Sequence, residues 1–286
     1  MQIRILKKED GLYRKHLQDI KGMTERLYYT GNILESDFEG ICVVGSRRMS
    51  KYGENCIESI VSELVGAGLT IISGLAFGVD VTAQKLALDL GGRTIAVLGS
   101  GINKIRPLSN FDTARRIVES GQGALISAYE PDEDSTKASF PERDFLMAAL
   151  SRAVLVIEAS EKSGTSHTVK AAVNLGKEVF VVPGSIFSDL SAGCHKYIRD
   201  GANLVTCADE IFEALRIKKS VLKSKIRLTE GSFEEKVYKN ISSGGTLLED
   251  LTLSLNEPAV KVLPCLTILE MKGLIKIDRD KIFNVK

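Results

Sequence analysis

The sequence predicts a doubly wound α/β fold around a mostly parallel sheet, followed by a small C-terminal winged-helix domain. From residue 41 onward, short runs rich in β-branched residues end in glycine or serine, and segments of helical periodicity follow them. Strands that are apolar on both faces and separated by helices are typical of a parallel sheet that is covered on both sides. A change of composition after residue 215 separates the smaller domain.

The predicted strands and helices alternate along residues 41–215. The predicted strands are ICVVGS, TIISGLAFG, RTIAVLGSG, GALISAY, RAVLVIEAS and KEVFVVPGS. The predicted helices are GENCIESIVSELVGAG, VDVTAQKLALDLGG, FDTARRIVESG, PERDFLMAALS and TSHTVKAAVNLG, with two more helical pieces around NLVTC. Residues 1–40 are expected to form a short lead-in, a helix followed by an aromatic segment.

The last seventy residues have a different pattern. Residues 216–230 are basic and are expected to form a linker. Residues 231–286 contain three amphipathic helical patterns and a possible terminal hairpin around DRD, which together suggest a winged helix. The third helical pattern is mostly apolar, whereas a helix that binds in the major groove carries basic side chains. We therefore expect weak recognition of duplex DNA by this domain.

The composition is that of an ordinary globular protein, with 286 residues, 44% hydrophobic and 26% charged. A net charge of +1 does not indicate a protein that coats nucleic acid. No apolar run approaches the ~20 residues that span a membrane, and the N-terminus is too charged for a secretory signal. Five dispersed cysteines without CxxC spacing indicate reduced thiols. We expect a cytoplasmic protein with no membrane association, metal or cofactor.

Four turns of small residues are expected at one edge of the sheet. They are GSRRMS (45–50), SGLAFG (73–78), GSG (99–101) and EKSGTS (161–166), and each follows a predicted strand. Ligands of open parallel sheets bind outside the carboxyl ends of the strands, where helix N-termini present unpaired N–H groups. Neither GxGxxG nor GxxxxGK[ST] is present, so the turns predict an anion site without a specific nucleotide fingerprint.

The stretch EKSGTSHT could hold either a Ser–His pair or an anion cradle. A nucleophilic serine needs a base within hydrogen-bond reach and a third group that orients the base. Ser166 and His167 are neighbours at a predicted helix start and project in different directions. The cradle is favoured, with Ser163, Gly164 and Thr165 as donors, and no catalytic residue is assigned.

Cationic and aromatic side chains lie close to the same turns. Arg47 and Arg48 follow the first strand, Lys104 follows the GSG turn, and Arg143 lies in the segment FPERD. Arg106 and Lys137 are interpreted as surface charges. Phe140, also in FPERD, could either pack in the core or provide a stacking platform for a base.

These motifs together resemble the DNA-processing protein A (DprA, or Smf) family. VVGSRRMSKYG, LTIISGLAFGVDVTAQKLAL, GGRTIAVLGSGIN, FPERD, ALSRAVLVIEASEKSGTSHTVKAA, GKEVFVVPGS and AGCHKYIRDGANLV occur in the family's order. The resemblance implies an extended Rossmann-like domain that binds single-stranded DNA. It also implies a homodimer that forms through that domain. The family's role during natural transformation is to protect incoming DNA and to deliver a RecA-type recombinase onto it. The resemblance does not imply an enzyme.

The resemblance assigns roles to residues that match the family's motifs. The DNA- and phosphate-binding residues expected from the turns and the resemblance are Gly45, Ser46, Arg47, Arg48, Gly74, Lys104, Phe140, Arg143, Ser163, Gly164 and Thr165. The family match favours stacking for Phe140. Asp144 and Phe145 replace a polar residue and a cation of the family pattern, and this change is expected to weaken phosphate contacts.

A second hypothesis is a nucleotide sensor, or an enzyme that hydrolyses nucleoside monophosphates between base and ribose. Related Rossmann-like proteins with that activity use a glutamate shortly after the glycine–threonine turn. The segment GTSHTVKAA has no carboxylate, so Glu158 at the end of VLVIE is the nearest substitute. The alternative role for Glu158 is to cap a helix or stabilise a turn.

Overall fold

The structure is a computed structural model that describes residues 2–217, 232–242, 245–271, 274–278 and 281–284. The chain divides into two compact units, residues 1–224 and residues 225–286. The boundary between them falls within the stretch predicted as a linker at 216–230, which from residue 218 onward lies outside the described residues.

A sheet of nine strands organises the first unit. The strands are β1 (Arg4–Lys7), β2 (Arg26–Gly31), β3 (Ile41–Val44), β4 (Ile71–Ser73), β5 (Thr94–Leu98), β6 (Gly123–Ser127), β7 (Ala153–Val156), β8 (Glu178–Val181) and β9 (Asn203–Leu204). Their order is β1-β2-β6-β5-β4-β3-β7-β8-β9. The seven strands from β6 to β9 are mutually parallel. The mostly parallel sheet predicted from the sequence is confirmed.

Helices lie between and after the strands along the chain. They are α1 (Gly11–His16), α2 (Lys51–Cys56), α3 (Ser62–Gly66), α4 (Val79–Asp89), α5 (Phe111–Glu119), α6 (Ser139–Leu150), α7 (Thr165–Asn174), α8 (Asp189–Arg199) and α9 (Ala208–Ala214). A π-helical segment, Ile57–Val61, joins α2 to α3. Within the described ranges, none of the helices combines the length and apolar character that a bilayer crossing requires.

The strands are buried on both faces because a separate hydrophobic cluster covers each face. In β3, Ile41 and Val43 belong to one cluster, whereas Cys42 and Val44 belong to the cluster on the opposite face. This alternation explains why the strand contains no polar residue. The chain adds strands on one side from β3 to β6 and on the other side from β7 to β9, which is doubly wound topology.

The N-terminal forty residues are part of the sheet, which differs from the lead-in expected from the sequence. β1 pairs antiparallel with β2, and β2 pairs antiparallel with β6. The expected helix is present as α1, but the aromatic segment RLYYTG is strand β2. Its Leu27 and Tyr28 are buried, so the segment contributes to the core of the unit.

In the second unit, the described residues form three helices and three strands. The helices are α10 (Phe233–Lys239), α11 (Leu248–Leu255) and α12 (Ala259–Met271), and the strands are β10 (Thr246–Leu247), β11 (Ile275–Asp278) and β12 (Lys281–Asn284). β11 and β12 form the expected terminal hairpin, and β10 pairs with β12. The helices and the hairpin agree with the sequence pattern, and the winged-helix assignment stays a prediction.

Candidate nucleic-acid interface

The four small-residue turns lie at one edge of the sheet, as predicted. They follow β3, β4, β5 and β7, which are neighbours in the order β5-β4-β3-β7. The point at which the strand order reverses lies between β3 and β7. In open α/β sheets, the crevice at such a point is the usual ligand site.

The turn after β3 is held by contacts that leave Arg47 exposed. The N–H of Ser46 donates to the carbonyl oxygen of Glu158 (2.7 Å), and its Oγ accepts from the N–H of Arg48 (3.1 Å). Gly45 is required here, since a Cβ would lie 2.7 Å from Val79 Cγ2. Ser46 is buried, whereas Arg47 and Arg48 are exposed. The predicted Gly-Ser pair therefore shapes the turn that presents the two arginines.

Glu158 stabilises the N-terminus of α2. Its carboxylate is buried and accepts hydrogen bonds from the N–H (2.8 Å) and the Oγ (2.5 Å) of Ser50, the N-cap residue of that helix. A Cβ at Gly53 would lie 2.5 Å from Glu158 Oε2, so the helix approaches the carboxylate closely. This geometry agrees with the capping role and not with an acid that faces a substrate.

An aromatic pocket of about 180 Å³ lies beside Arg47. Phe77 and Phe140 are half-exposed on its wall, with 50% and 36% of their surfaces accessible. The guanidinium carbon of Arg47 lies 5.6 Å from the ring centroid of Phe140, within cation–π distance. The pocket is lined by Arg47, Gly74, Ala76, Phe77, Gly99, Ser100, Arg106, Pro107, Ser135, Phe140 and Arg143.

Arg143 lies at the base of this aromatic pocket and is buried. Its Nη1 donates to the carbonyl oxygen of Gly74 (2.6 Å), and its Nε donates to Asp144 Oδ1 (2.9 Å). A Cβ at Gly74 would lie only 1.9 Å from that Nη1, so the glycine makes room for the guanidinium. The expected phosphate contact of Arg143 stays a prediction, and the contacts observed here stabilise the pocket.

Two buried carboxylates surround the Arg143 guanidinium. Asp80 Oδ2 accepts from the N–H of Gly74 (3.1 Å), and Asp144 pairs directly with the arginine. Burial raises the pKa of Asp80 to about 6, although the positive charge of Arg143 acts in the opposite direction. Burial likewise raises the pKa of Asp144. Asp144 thus offsets the charge of Arg143 inside the protein, which gives a physical basis for the weaker phosphate contact expected from the sequence.

Lys104 and Arg106 share one carboxylate at the rim. Lys104 Nζ lies 3.7 Å and Arg106 Nη2 lies 3.9 Å from oxygens of Asp134. Arg106 lines the aromatic pocket, whereas Lys104 does not. Arg106 is exposed, as expected of a surface charge, and the structure adds that it lines the aromatic pocket.

The turn after β7 satisfies part of its own hydrogen-bonding capacity. Ser163 Oγ accepts from the N–H of Thr165 (3.2 Å) and donates to Thr165 Oγ1 (2.9 Å). Gly164 is exposed, and a Cβ there would meet no atom within 4 Å. Among the described residues, no hydrogen bond joins a serine of this turn to the ring of His167. The anion cradle stays a prediction in which Gly164 offers the most open approach.

Two further site residues, Phe77 and Gly78, were missed in the sequence. Gly78 has φ +71°, and a Cβ there would lie 2.2 Å from the carbonyl oxygen of Ser46. The N–H of Val79 donates to that same oxygen (3.2 Å), so the start of α4 packs on the first turn. This contact places Phe77 on the wall of the aromatic pocket. Both residues lie in the turn SGLAFG (73–78), but the sequence of this turn does not show whether its phenylalanine is buried or exposed.

A half-buried lysine fixes the far end of α6, the helix that carries Phe140 and Arg143. Lys177 Nζ donates to the carbonyl oxygens of Ala148 (2.8 Å), Ala149 (2.7 Å) and Ser151. Burial lowers the pKa of Lys177 to about 8. The carbonyl groups at a helix C-terminus lack intrahelical hydrogen-bond donors, and the lysine ammonium provides the missing donors.

Comparisons with known proteins are consistent with this geometry. The model of the family "DNA recombination-mediator protein A" matches residues 4–216. The chain is 39% identical over 202 residues to the DNA processing protein DprA of Streptococcus pneumoniae, covering 71% of each chain. It is 43% identical over 176 residues to Protein Smf of Escherichia coli, covering 62% of this chain and 47% of that protein.

Two solved structures share the fold over three quarters of the chain. The X-ray structure of DprA from Streptococcus pneumoniae has a TM-score of 0.68 and 36% identity, covering 74% of each chain. DNA processing protein A from Helicobacter pylori has a TM-score of 0.65 and 28% identity, covering 75% of this chain and 96% of that one. The Helicobacter structure is described in terms of a unique single-stranded DNA binding mode.

Proposed function

Because the chain belongs to the DNA recombination-mediator protein A family, we propose that it binds single-stranded DNA at the carboxyl edge of its sheet. One observation carries the proposal: Arg47 lies over the ring of Phe140 at the mouth of the aromatic pocket, with Phe77 on the same wall. This arrangement combines a cation for phosphate with exposed aromatic faces for bases. Stacking of a base on an aromatic ring contributes about 1–3 kcal/mol and tolerates any sequence.

The proposed role is binding, not catalysis. Glu158 is occupied by the N-terminus of α2, and His167 has no serine partner among the described residues. Within the same ranges, no cluster of histidine, cysteine or carboxylate side chains is suited to hold a metal ion. These contacts give no support to hydrolysis of a nucleotide.

The wider role that we propose is protection of incoming DNA and loading of a RecA-type recombinase during natural transformation. A homodimer formed through the first unit belongs to the same proposal. Both rest on membership of the family, whose model matches nearly all of the first unit. The chain spans 71% of the pneumococcal relative but only about half of the Escherichia coli one, so the partners of the whole protein are part of the proposal.

Fluorescence anisotropy with labelled oligonucleotides, measured as a function of salt, tests the binding proposal. We expect preference for single strands over duplexes, with affinity that falls as salt rises because bound phosphates release counterions. Arg47→Ala should lower the affinity by about tenfold and make it less sensitive to salt, since the variant loses a phosphate contact and the contact with Phe140.

Lys85→Ala is the matched control for Arg47→Ala. Lys85 is an exposed cation on α4 outside the aromatic pocket, and its loss changes the net charge by the same amount. If both variants lose affinity equally, the effect is one of total charge and the edge is not the binding site. Absence of single-strand binding by the wild type at low salt would overturn the proposal.

A further inference from the structure

The loop after β8 displays two large apolar side chains to solvent. Phe187 is 93% exposed and Ile186 is 81% exposed, the highest values among the large apolar residues described in the first unit. A phenylalanine that stays in solvent gains none of the free energy that its burial would contribute to folding. This loop is separate from the residues that line the aromatic pocket.

The backbone of this loop is fixed by contacts on both sides. The carbonyl oxygen of Pro183 accepts from Tyr52 Oη (2.6 Å), and that of Gly184 lies 2.9 Å from His195 Nε2. The N–H of Phe187 donates to Ser185 Oγ (3.2 Å). Contacts from α2 and α8 therefore hold the loop, and the exposed ring projects from an ordered support.

The loop lies at the same edge of the sheet as the aromatic pocket. The order β5-β4-β3-β7-β8 places β8 four strand spacings from β5, or about 19 Å at ~4.8 Å per spacing. At ~3.4 Å per nucleotide of stacked strand, this distance corresponds to at most about six nucleotides. A strand that starts in the aromatic pocket can reach Phe187.

The turns between the two places carry exposed cations. Arg48 follows β3 and Lys162 follows β7, and both are exposed. Glu161 and Asp189, also exposed, lie beside this path. The two cations suit a phosphate backbone that runs along the edge. The acids restrict where it can pass.

We propose that Phe187 is a second stacking platform, on which a base of the same DNA strand stacks about six nucleotides or fewer from the aromatic pocket. This inference rests on the proposed function, and it adds the path of the DNA strand along the sheet edge and the length of strand that the interface covers. The platform extends the interface from β5 to β8. It also gives a reason for a solvent-exposed phenylalanine on an ordered loop.

A length series of oligothymidines tests the platform. Phe187→Ala should weaken binding of strands of about twelve nucleotides by at least about fivefold, and should leave strands of about three nucleotides unchanged. Phe187→Tyr should keep the affinity within about twofold, because it retains an aromatic face. Phe187→Leu is apolar but lacks that face and should behave like Phe187→Ala. Since residue 187 is exposed, none of these variants is expected to impair folding.

Abasic substitutions locate the stacked base. In the wild type, one abasic position away from the pocket-bound base should weaken binding, and this penalty should disappear in Phe187→Ala. If Phe187→Ala binds long strands as tightly as the wild type while Arg47→Ala does not, the platform is overturned and the binding proposal stands. If Phe187→Leu retains affinity, or if the variants change only the oligomeric state measured by light scattering, Phe187 contacts protein and the inference also falls.

Discussion

Asp80 illustrates how a single buried residue makes the stability of this protein depend on pH. Its pKa is about 6 in the folded protein, against an ordinary value of 3.8. Between these values the folded state keeps a proton that the unfolded state releases. The contribution to stability is therefore fully present below pH 3.8 and is lost as the pH rises through about 6.

Asp80→Asn should remove this dependence. As the pH falls from about 7 to about 4, the wild type should gain up to about 3 kcal/mol of unfolding free energy relative to the variant, which follows from the difference in pKa. Urea unfolding at several pH values measures this difference. Asp89→Asn is the control, because Asp89 is exposed in its pair with Arg116. A constant difference between wild type and Asp80→Asn would contradict the prediction.

At the scale of elements, the packing of α4 on the turn after β3 depends on Gly78. Gly78→Ala would place a Cβ against the carbonyl oxygen of Ser46 at a positive φ, and we expect a loss of about 2 kcal/mol or more. Gly66→Ala in α3 is the matched control, since its Cβ would meet nothing within 4 Å, and it should be neutral or slightly stabilising. Thermal unfolding measures both, and equal shifts for the two variants would contradict this account.

The sequence predicted the alternating elements and the turn-rich edge because both depend on local pattern. Four apolar residues in β3 indicate burial on two faces, and glycines mark the ends of strands. The strands β1 and β2 were missed since RILK and RLYYTG lack the uniform apolar pattern of the central strands. The pairing of β2 with β6 is non-local, and no local pattern encodes it.

The roles of individual site residues were less predictable than the edge on which they lie. Arg47 and Arg143 both follow small-residue or proline motifs, yet one is exposed and the other is only 7% accessible. The difference arises because Gly74, Asp80 and Asp144 surround Arg143 after folding. A contact of this kind joins distant segments of the chain, so it appears only when the tertiary structure is known.

At the scale of the whole molecule, weak duplex binding by the second unit stays a prediction, and the exposed side chains of α12 bear on it. Val260 on α12 is 83% exposed and Leu263 is 47% exposed. Lys261 Nζ lies 2.5 Å from Glu257 Oε1 and 4.8 Å from the ring centroid of Phe233. The lysine therefore already has an ion pair and a cation–π contact within the second unit. A helix that reads a major groove needs donors aimed at base edges, and Val260 and Leu263 offer none.

Competition measurements with the full chain test this expectation. Unlabelled duplex should displace a bound single strand at least about tenfold less effectively than an unlabelled single strand of equal length. Lys261→Ala should leave duplex binding unchanged. A marked loss of duplex affinity in that variant would instead assign α12 a role in DNA recognition.

The anchoring of α6 at both ends has a thermodynamic consequence for any ligand of the pocket. Arg143 fixes the start of the helix to the turn after β4, and Lys177 fixes its end through three carbonyl oxygens. The aromatic wall is thereby set before a ligand arrives, and little backbone order has to be created on binding. Such preorganised sites retain more of their contact energy as affinity. Different bases must then be accommodated by rotation of exposed side chains and not by movement of the helix.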